Sequence, residues 1–234
     1  MDSTVTTRAW VNTGAVEHLS SESISDEDLQ NMIHLSVLAF EKAKKEEGDT
    51  SHDFVFGEDS SVPPLYFRQI IRAGMARDAV YVVRSENQDI IGMGLFMKPE
   101  QKAYSTEQIQ RVAGYYEFLE KMKPETRHWY ENDLLSLLKD REALFTDEER
   151  ERRWWCIHLC TDPRFHGKGL GRMIVDHIHQ EAQKNGQFLG LAAGNELNVR
   201  KYKALGFKQR GYHTAPGLEA KGEPYKMYTL TKGI

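Results

Sequence analysis

The chain has only two cysteines in 234 residues, no excess of positive charge and no long apolar run. Each absence removes a class of protein. Cys156 and Cys160 stand four residues apart, which in one extended strand puts them on the same face but too far along the chain to bridge. They form no Cys-x-x-Cys pair, so they read as buried free thiols that pack like small hydrophobes. A formal charge of -4 offers no basic footprint for nucleic acid. A mean hydropathy of -0.60, without any apolar stretch of about 18 residues, argues against a membrane span. The opening Met1-Asp2-Ser3-Thr4-Val5-Thr6 lacks a basic segment followed by apolar residues, so no secretory signal is expected and a cytoplasmic location is. His177 and His179 fall on different sides of a helical turn, and no metal site is expected. What is present, 40% hydrophobic residues over 234 positions, suffices for one domain, 1–234, with a sizeable core.

Two nucleotide-loop patterns are also missing. No Gly-x-x-x-x-Gly-Lys-Ser/Thr run occurs, and the glycine spacing is not the Gly-x-Gly-x-x-Gly of a dinucleotide fold. Instead, Asp162-Pro163-Arg164-Phe165-His166-Gly167-Lys168-Gly169-Leu170-Gly171-Arg172 carries three glycines at every second position. The run before it, Trp154 to Thr161, has the length and residue types of a buried strand, and Pro163 ends it. After it, Met173, Ile174, Ile178 and Ala182 recur at helical spacing. The glycines therefore sit where a helix begins. There, unpaired N–H groups and the positive end of the helix dipole attract an anion, and residues without a Cβ let it approach. Lys168 and Arg172 stand beside this cradle with further charge.

A second pattern follows. Phe188 to Ala193 reads as another buried strand, and Asn195 to Leu205 as a short helix stopped by Gly206, in the sequence Tyr202-Lys203-Ala204-Leu205-Gly206-Phe207. Together these residues resemble the GNAT superfamily of acetyl-CoA-dependent acyltransferases. Arg164-Phe165-His166-Gly167-Lys168-Gly169 matches that family's Arg/Gln-x-x-Gly-x-Gly/Ala run, and the overlapping register from His166 to Gly171 has His at its first position. The resemblance is strong over 153–207, while 79–98 is a compatible hairpin.

Elsewhere the periodicities predict further elements. A short strand lies near Ala15–Leu19. Ser25 caps a helix with the apolar stripe Leu29, Met32, Ile33, Val37 and Phe40, ending near Lys45. Residues 46–64 read as a loop closed by Pro63-Pro64, and 65–76 as a second helix. Ala79–Arg84 and Ile90–Met97 make a hairpin. Between the hairpin and the motif strand lies an insertion, about 101–150. In it, Ser105 and Gln108 form a capping box for a helix running to Pro124, and a further helix spans about 132–145. Strands near 207–212 and 225–230 close the chain. The expected class is mixed α/β: a mostly antiparallel GNAT sheet with splayed central strands, flanked by helices, plus the helical insertion.

The resemblance implies acetyl-CoA as cosubstrate and direct acetyl transfer to an amine in a ternary complex. By it, Leu159, Cys160 and Thr161 pair their backbone with the pantetheine arm, and the backbone of Gly167, Lys168, Gly169, Leu170, Gly171 and Arg172 holds the pyrophosphate with Arg164 or His166. Asn195 and Asn198 hydrogen-bond the pantetheine or cap their helix. Tyr202 protonates the departing thiolate. The base stays open among His158 on the motif strand, Glu151, Asp162, Glu196 and water. The overall organisation is similar to the puromycin-acetyltransferase type, which implies a small-molecule amine acceptor, with neither nucleic acid nor membrane as partner. A peptide or histone-like acceptor, or a CoA-binding sensor without turnover, are the alternatives. A homodimer through the terminal strands is compatible with the sequence.

Overall fold

A seven-stranded sheet organises the described residues, 14–47, 53–56, 59–217 and 224–234 of a computed structural model. Its strands are β1 (Glu17–Leu19), β2 (Val80–Arg84), β3 (Ile90–Met97), β4 (Arg153–Thr161), β5 (Phe188–Ala193), β6 (Lys208–Ala215) and β7 (Tyr225–Lys232). They lie in the order β1-β2-β3-β4-β5-β7-β6. Every neighbouring pair is antiparallel except β4–β5, which is parallel and joined by a crossover helix. The mixed, mostly antiparallel α/β class expected from the sequence is what forms.

Helices cover both faces. On one lie α1 (Asp26–Glu47), α2 (Asp53–Phe56) and α3 (Val62–Met75). The inserted α4 (Glu107–Ala113), α5 (Tyr115–Lys121), α6 (Pro124–Trp129) and α7 (Leu135–Glu142) follow on that side, and then α8 (Asp147–Arg152) leads into β4. On the other lie α9 (Leu170–Gln183) and α10 (Glu196–Ala204). The α9 stripe Ile174, Val175 and Ile178 is fully buried, each side chain contributing roughly 1.5–3 kcal/mol. Gly94 lets α9 come this close, since a Cβ there would stand 3.0 Å from Ile174 and 2.6 Å from the Phe96 ring.

Several elements start or stop elsewhere than the sequence suggests. Ser25 does cap α1, accepting from the Asp28 N–H at 3.0 Å. Of the expected 46–64 loop, 48–52 and 57–58 lie outside the described residues, while Asp53–Phe56 forms one helical turn. Pro63 and Pro64 do not close the loop but sit in the first turn of α3, where a missing N–H costs nothing. In the insertion the cap is Thr106, whose side chain accepts from the Ile109 N–H. Ser105 instead takes a hydrogen bond from Arg77. The helix does not run on to Pro124, because Gly114 turns left-handed with φ 86° and separates α4 from α5. The last inserted helix begins at Pro124 and passes through a π-helical segment, Tyr130–Leu134, into α7. The widened turn brings the successive side chains of Trp129 and Tyr130 both inward. β6 extends to Ala215, past the expected end near residue 212; of the loop that follows, 218–223 lie outside the described residues, as do 1–13 at the start.

β4 corrects one expectation. Its register against β3 slips between Leu95 and Phe96, pairing Leu95 with His158 but Phe96 with Cys156 and leaving Ile157 as a bulge. Strand parity reverses there. Cys156 packs in the α9-side core, Cys160 in the α1-side core, so the two thiols lie on opposite faces rather than the same one. Both are free, and burial pushes the Cys160 thiol up to about 12 and the Cys156 thiol higher still.

Candidate active site

β4 and β5 pair only from Arg153↔Phe188 to Cys156↔Leu191. Beyond Cys156, β4 continues to Thr161 bound to β3 alone, and β5 turns to β7 alone. The parallel pair is thus splayed, as the sequence implied for Leu159, Cys160 and Thr161, and its open backbone edges face a gap. Leu159 lines a cavity at this gap, as do Ala192, Ala193, Gly194, Asn198 and Tyr202 on the β5–α10 side. Cys160 and Thr161 lead from it toward α9.

At the end of β4 the turn Pro163–Phe165 delivers the chain to the glycines. Gly167 and Gly169 are left-handed, with φ 77° and 83°, and nothing lies within 4 Å of where either Cβ would be. Gly169 is the N-cap of α9, so the N–H groups of Leu170, Gly171 and Arg172 have no carbonyl one turn behind them. His166, Gly167, Lys168 and Gly169 are exposed, whereas the Leu170 side chain is buried beneath the helix. The concave, donor-lined surface with open space at both glycines fits a pyrophosphate. The flanking cations are less simple. Arg164 folds back on Asp162, at 2.6 Å, and Arg172 donates to the Ala204 carbonyl at the end of α10, at 2.5 Å. Burial would raise the Asp162 carboxyl, but hydrogen bonds from Arg164 outweigh it and hold the group below its ordinary value.

Asn195 is the N-cap of α10, its Oδ1 accepting from the Asn198 N–H at 2.7 Å. Its Nδ2 is buried without a protein partner. One residue therefore fixes the helix and still presents an unused donor. A turn and a half into α10, Tyr202 packs edge-on against Phe207, with ring centroids 5.9 Å apart. Gly206, with φ 91°, ends the helix, and the Phe207 N–H returns to the Tyr202 carbonyl.

The cavity, ≈ 820 Å³, extends from the splay under the insertion. His158 lies on its wall, turned to this side by the bulge. Its Nε2 is 2.9 Å from Ser36 Oγ, and Ser36 donates to the Met32 carbonyl at 2.8 Å. Ser36 thus ties the imidazole to the α1 backbone and fixes the orientation of the ring. Phe40 and Phe67 enclose the ring, with centroids at 5.5 and 5.3 Å. Ser36 was not singled out in the sequence, although it interrupts an apolar stripe between Met32 and Phe40. Of the other candidate bases, Glu151 lines the cavity, Asp162 is committed to Arg164, and Glu196 takes a hydrogen bond from Tyr228 at 3.2 Å.

The insertion supplies the opposite wall, including Tyr104, Tyr130, Leu134 and Leu138. Tyr104 donates to Gln69 Oε1. Burial pushes the phenol of Tyr66, on α3, up to about 12 and those of Tyr104 and Tyr130 well above their ordinary value, so all three are neutral near pH 7. Further along, Glu142 joins two guanidinium groups, Arg141 at 2.7 Å and Arg153 at 2.8 Å. Arg153 is sandwiched between Phe145 and Trp155. No local sequence signal marks this network, whose members lie on α7, the turn after it and β4.

A sheet splayed at its one parallel pair, with a glycine cradle at the helix that follows, defines an acyltransferase fold. The sequence profile of the Acetyltransferase (GNAT) family matches residues 46–207, more than half of the chain, and the chain belongs to that family. It is 34% identical over 71 residues to the [ribosomal protein bS18]-alanine N-acetyltransferase of Salmonella typhimurium, covering 27% of this chain and 48% of that protein. It is 25% identical over 141 residues to an uncharacterised N-acetyltransferase of Schizosaccharomyces pombe, covering 60% and 55% respectively. The matches thus span about half the length of these curated relatives. Among solved structures, arylalkylamine N-acetyltransferase 2 from Aedes aegypti superposes with a TM-score of 0.57 at 16% identity, over 93% of this chain and 98% of that one. The polyamine N-acetyltransferase of Drosophila melanogaster gives 0.57 at 12%, over 95% and 100%. At these identities the likeness is one of fold.

Proposed function

We propose that the chain transfers an acetyl group from acetyl-CoA to the amine of a small molecule, by direct attack within a ternary complex. The observation that carries this reading is the single cavity that joins the β4–β5 splay to a chamber roofed by the insertion. Its ≈ 820 Å³ suits a small ligand beside the end of a thioester arm. A roof of helices over the splay favours a small acceptor over a folded protein segment, which needs an open groove. The relatives act on ribosomal protein, arylalkylamine and polyamine by name, so they leave the acceptor to be argued from this chain's own cavity.

The residues divide the work. The cradle at Gly167–Arg172 and the open edges of β4 and β5 hold acetyl-CoA by its pyrophosphate and pantetheine, leaving the thioester beside His158 and Tyr202. The amine nitrogen forms its bond to the carbonyl carbon as the carbon–sulfur bond breaks. His158, oriented by Ser36, receives the amine proton, and the Tyr202 phenol supplies one to the thiolate. Calorimetry with acetyl-CoA, followed by free-thiol release in the presence of amines, tests the reading. Binding with amine-dependent release supports it; binding without release from any amine favours a sensor; no binding overturns it.

A further inference from the structure

Away from the splay, the cavity wall is built from Phe40, Tyr66, Ile70, Tyr130, Leu134 and Leu138. Three phenols near it, Tyr66, Tyr104 and Tyr130, are held neutral by burial. They offer hydrogen bonds and ring faces but no negative charge. Five cationic side chains also line the cavity: Lys98, Lys102, Arg141, Arg150 and Arg153. Glu100, Glu142 and Glu151 face them from the lining and Asp147 pairs with Arg150, four carboxylates against five cations among these described residues, leaving a surplus of one positive charge. Glu142, the carboxylate beneath the roof, is already shared by Arg141 and Arg153. A ligand with a second ammonium or guanidinium would have to desolvate that charge in an apolar chamber and then meet like charge at its far end.

From this we infer that the acceptor is a monoamine on an apolar, ring-sized body, with no second cationic centre. The inference rests on the acetyltransfer reading above. The amine enters toward His158 and Leu159, and the body lies between α1, α3 and the π-helical segment that turns Tyr130 inward. One ammonium is tolerated on the way in by the aromatic faces. Polyamines are disfavoured by charge rather than by size, and a lysine-rich peptide by both.

Thiol release from acetyl-CoA by the full-length protein tests this, using phenethylamine and tryptamine against spermidine, agmatine and a lysine-bearing basic peptide. The expected result is a kcat/KM at least about tenfold higher for the arylalkylamines, the factor that one unfavourable like-charge contact produces. Preference for spermidine, agmatine or the peptide overturns the inference and leaves acetyl transfer intact. Failure to bind acetyl-CoA by calorimetry overturns the reading beneath it, and binding without release from any amine overturns both. Leu134→Glu adds a carboxylate to the chamber and should shift the agmatine-to-phenethylamine ratio upward by about tenfold, with acetyl-CoA affinity unchanged. Leu138→Glu, one turn on, makes the same test if the first variant melts early. An unmoved ratio in a variant that still binds acetyl-CoA means that the acceptor does not lie in this chamber.

Discussion

The two ends of the cavity are built from different materials. At the cosubstrate end the recognising groups are backbone: the N–H groups opening α9, the unpaired edges of β4 and β5, and two left-handed glycines with open space around them. At the acceptor end they are side chains: rings from α1, α3 and the insertion, and arginines sharing one carboxylate. Backbone recognition constrains what a residue must lack, and it leaves a spaced-glycine signature that can be read in one dimension. Side-chain recognition assembles residues more than a hundred positions apart, such as Ser36 and His158. Such a chamber can be rebuilt without disturbing the cradle, so a shared cosubstrate says little about the acceptor.

If the two ends are separable in this way, substitutions at each should fail differently. The largest effect belongs to Gly169→Glu, which puts a side chain on a left-handed residue and a negative charge where an anion is bound. Acetyl-CoA affinity by calorimetry should fall at least about 100-fold. Gly186 is left-handed too, with φ 64° and open surroundings, but lies at the other end of α9; Gly186→Ala should lose some thermal stability and keep wild-type affinity. Equal loss of affinity in both variants would mean that backbone strain, not the cradle, is being measured.

Tyr202→Phe stands next. Removing a general acid costs about 100-fold or more in kcat, and because the ring still packs on Phe207, acetyl-CoA affinity should barely move. Unchanged kcat in steady-state assays would return Tyr202 to the core. Glu142→Gln probes the acceptor end. It leaves two buried guanidinium groups sharing a neutral amide, and chemical denaturation should show a loss of roughly 1–3 kcal/mol with cosubstrate affinity preserved. Burial alone would raise the Glu142 carboxyl, but hydrogen bonds from Arg153 and Arg141 prevail and hold it below its ordinary 4.5. A carboxyl lowered on folding stabilises above its unfolded value and ceases to do so as pH falls through the folded one. The gap between wild type and variant should therefore be full at neutral pH and narrow progressively as pH falls below the ordinary value of 4.5; a gap indifferent to acid would show that charge is not its source. The smallest effect is expected of Asn195→Ala, about 1 kcal/mol from the lost cap, and here the two ends meet. If the buried Nδ2 also serves the cosubstrate, calorimetry will register weaker binding in a variant that denaturation shows to be folded.

The difference in materials also explains what the sequence disclosed. The strand, glycine turn, helix, strand and Tyr-x-x-x-Gly-Phe helix of 153–207 are contiguous, and each is set by local rules: a proline stop, an N-terminal helix turn, a glycine terminator. The hairpin and α1 were equally local. In the insertion two local rules compete. Ser105 and Thr106 are both acceptable caps, and only the tertiary contact of Ser105 with Arg77 leaves Thr106 to do the capping. Pro63 and Pro64 suit a loop end and a helix start alike, and packing of Val62 and Phe67 decides for the helix. Nothing local foretold that His158 would find Ser36, because the partners are joined by sheet register and helix packing rather than by spacing.

The bulge at Ile157 bears on how tolerant this strand is to changes of length. β4 is in effect two strands of opposite parity written into one run of nine residues. Its first half is phased so that Trp154 and Cys156 face α9; its second is phased so that His158 and Cys160 face α1. Deleting one residue at the bulge would restore a regular ladder with β3 and cost little backbone hydrogen bonding. It would also leave each half on its present face, because Phe96–Cys156 and Leu95–His158, the pairs that flank the bulge, would become consecutive rungs of one ladder. A residue lost elsewhere in the run would instead exchange inside for outside for part of the strand, so β4 tolerates a change of length at its bulge and nowhere else.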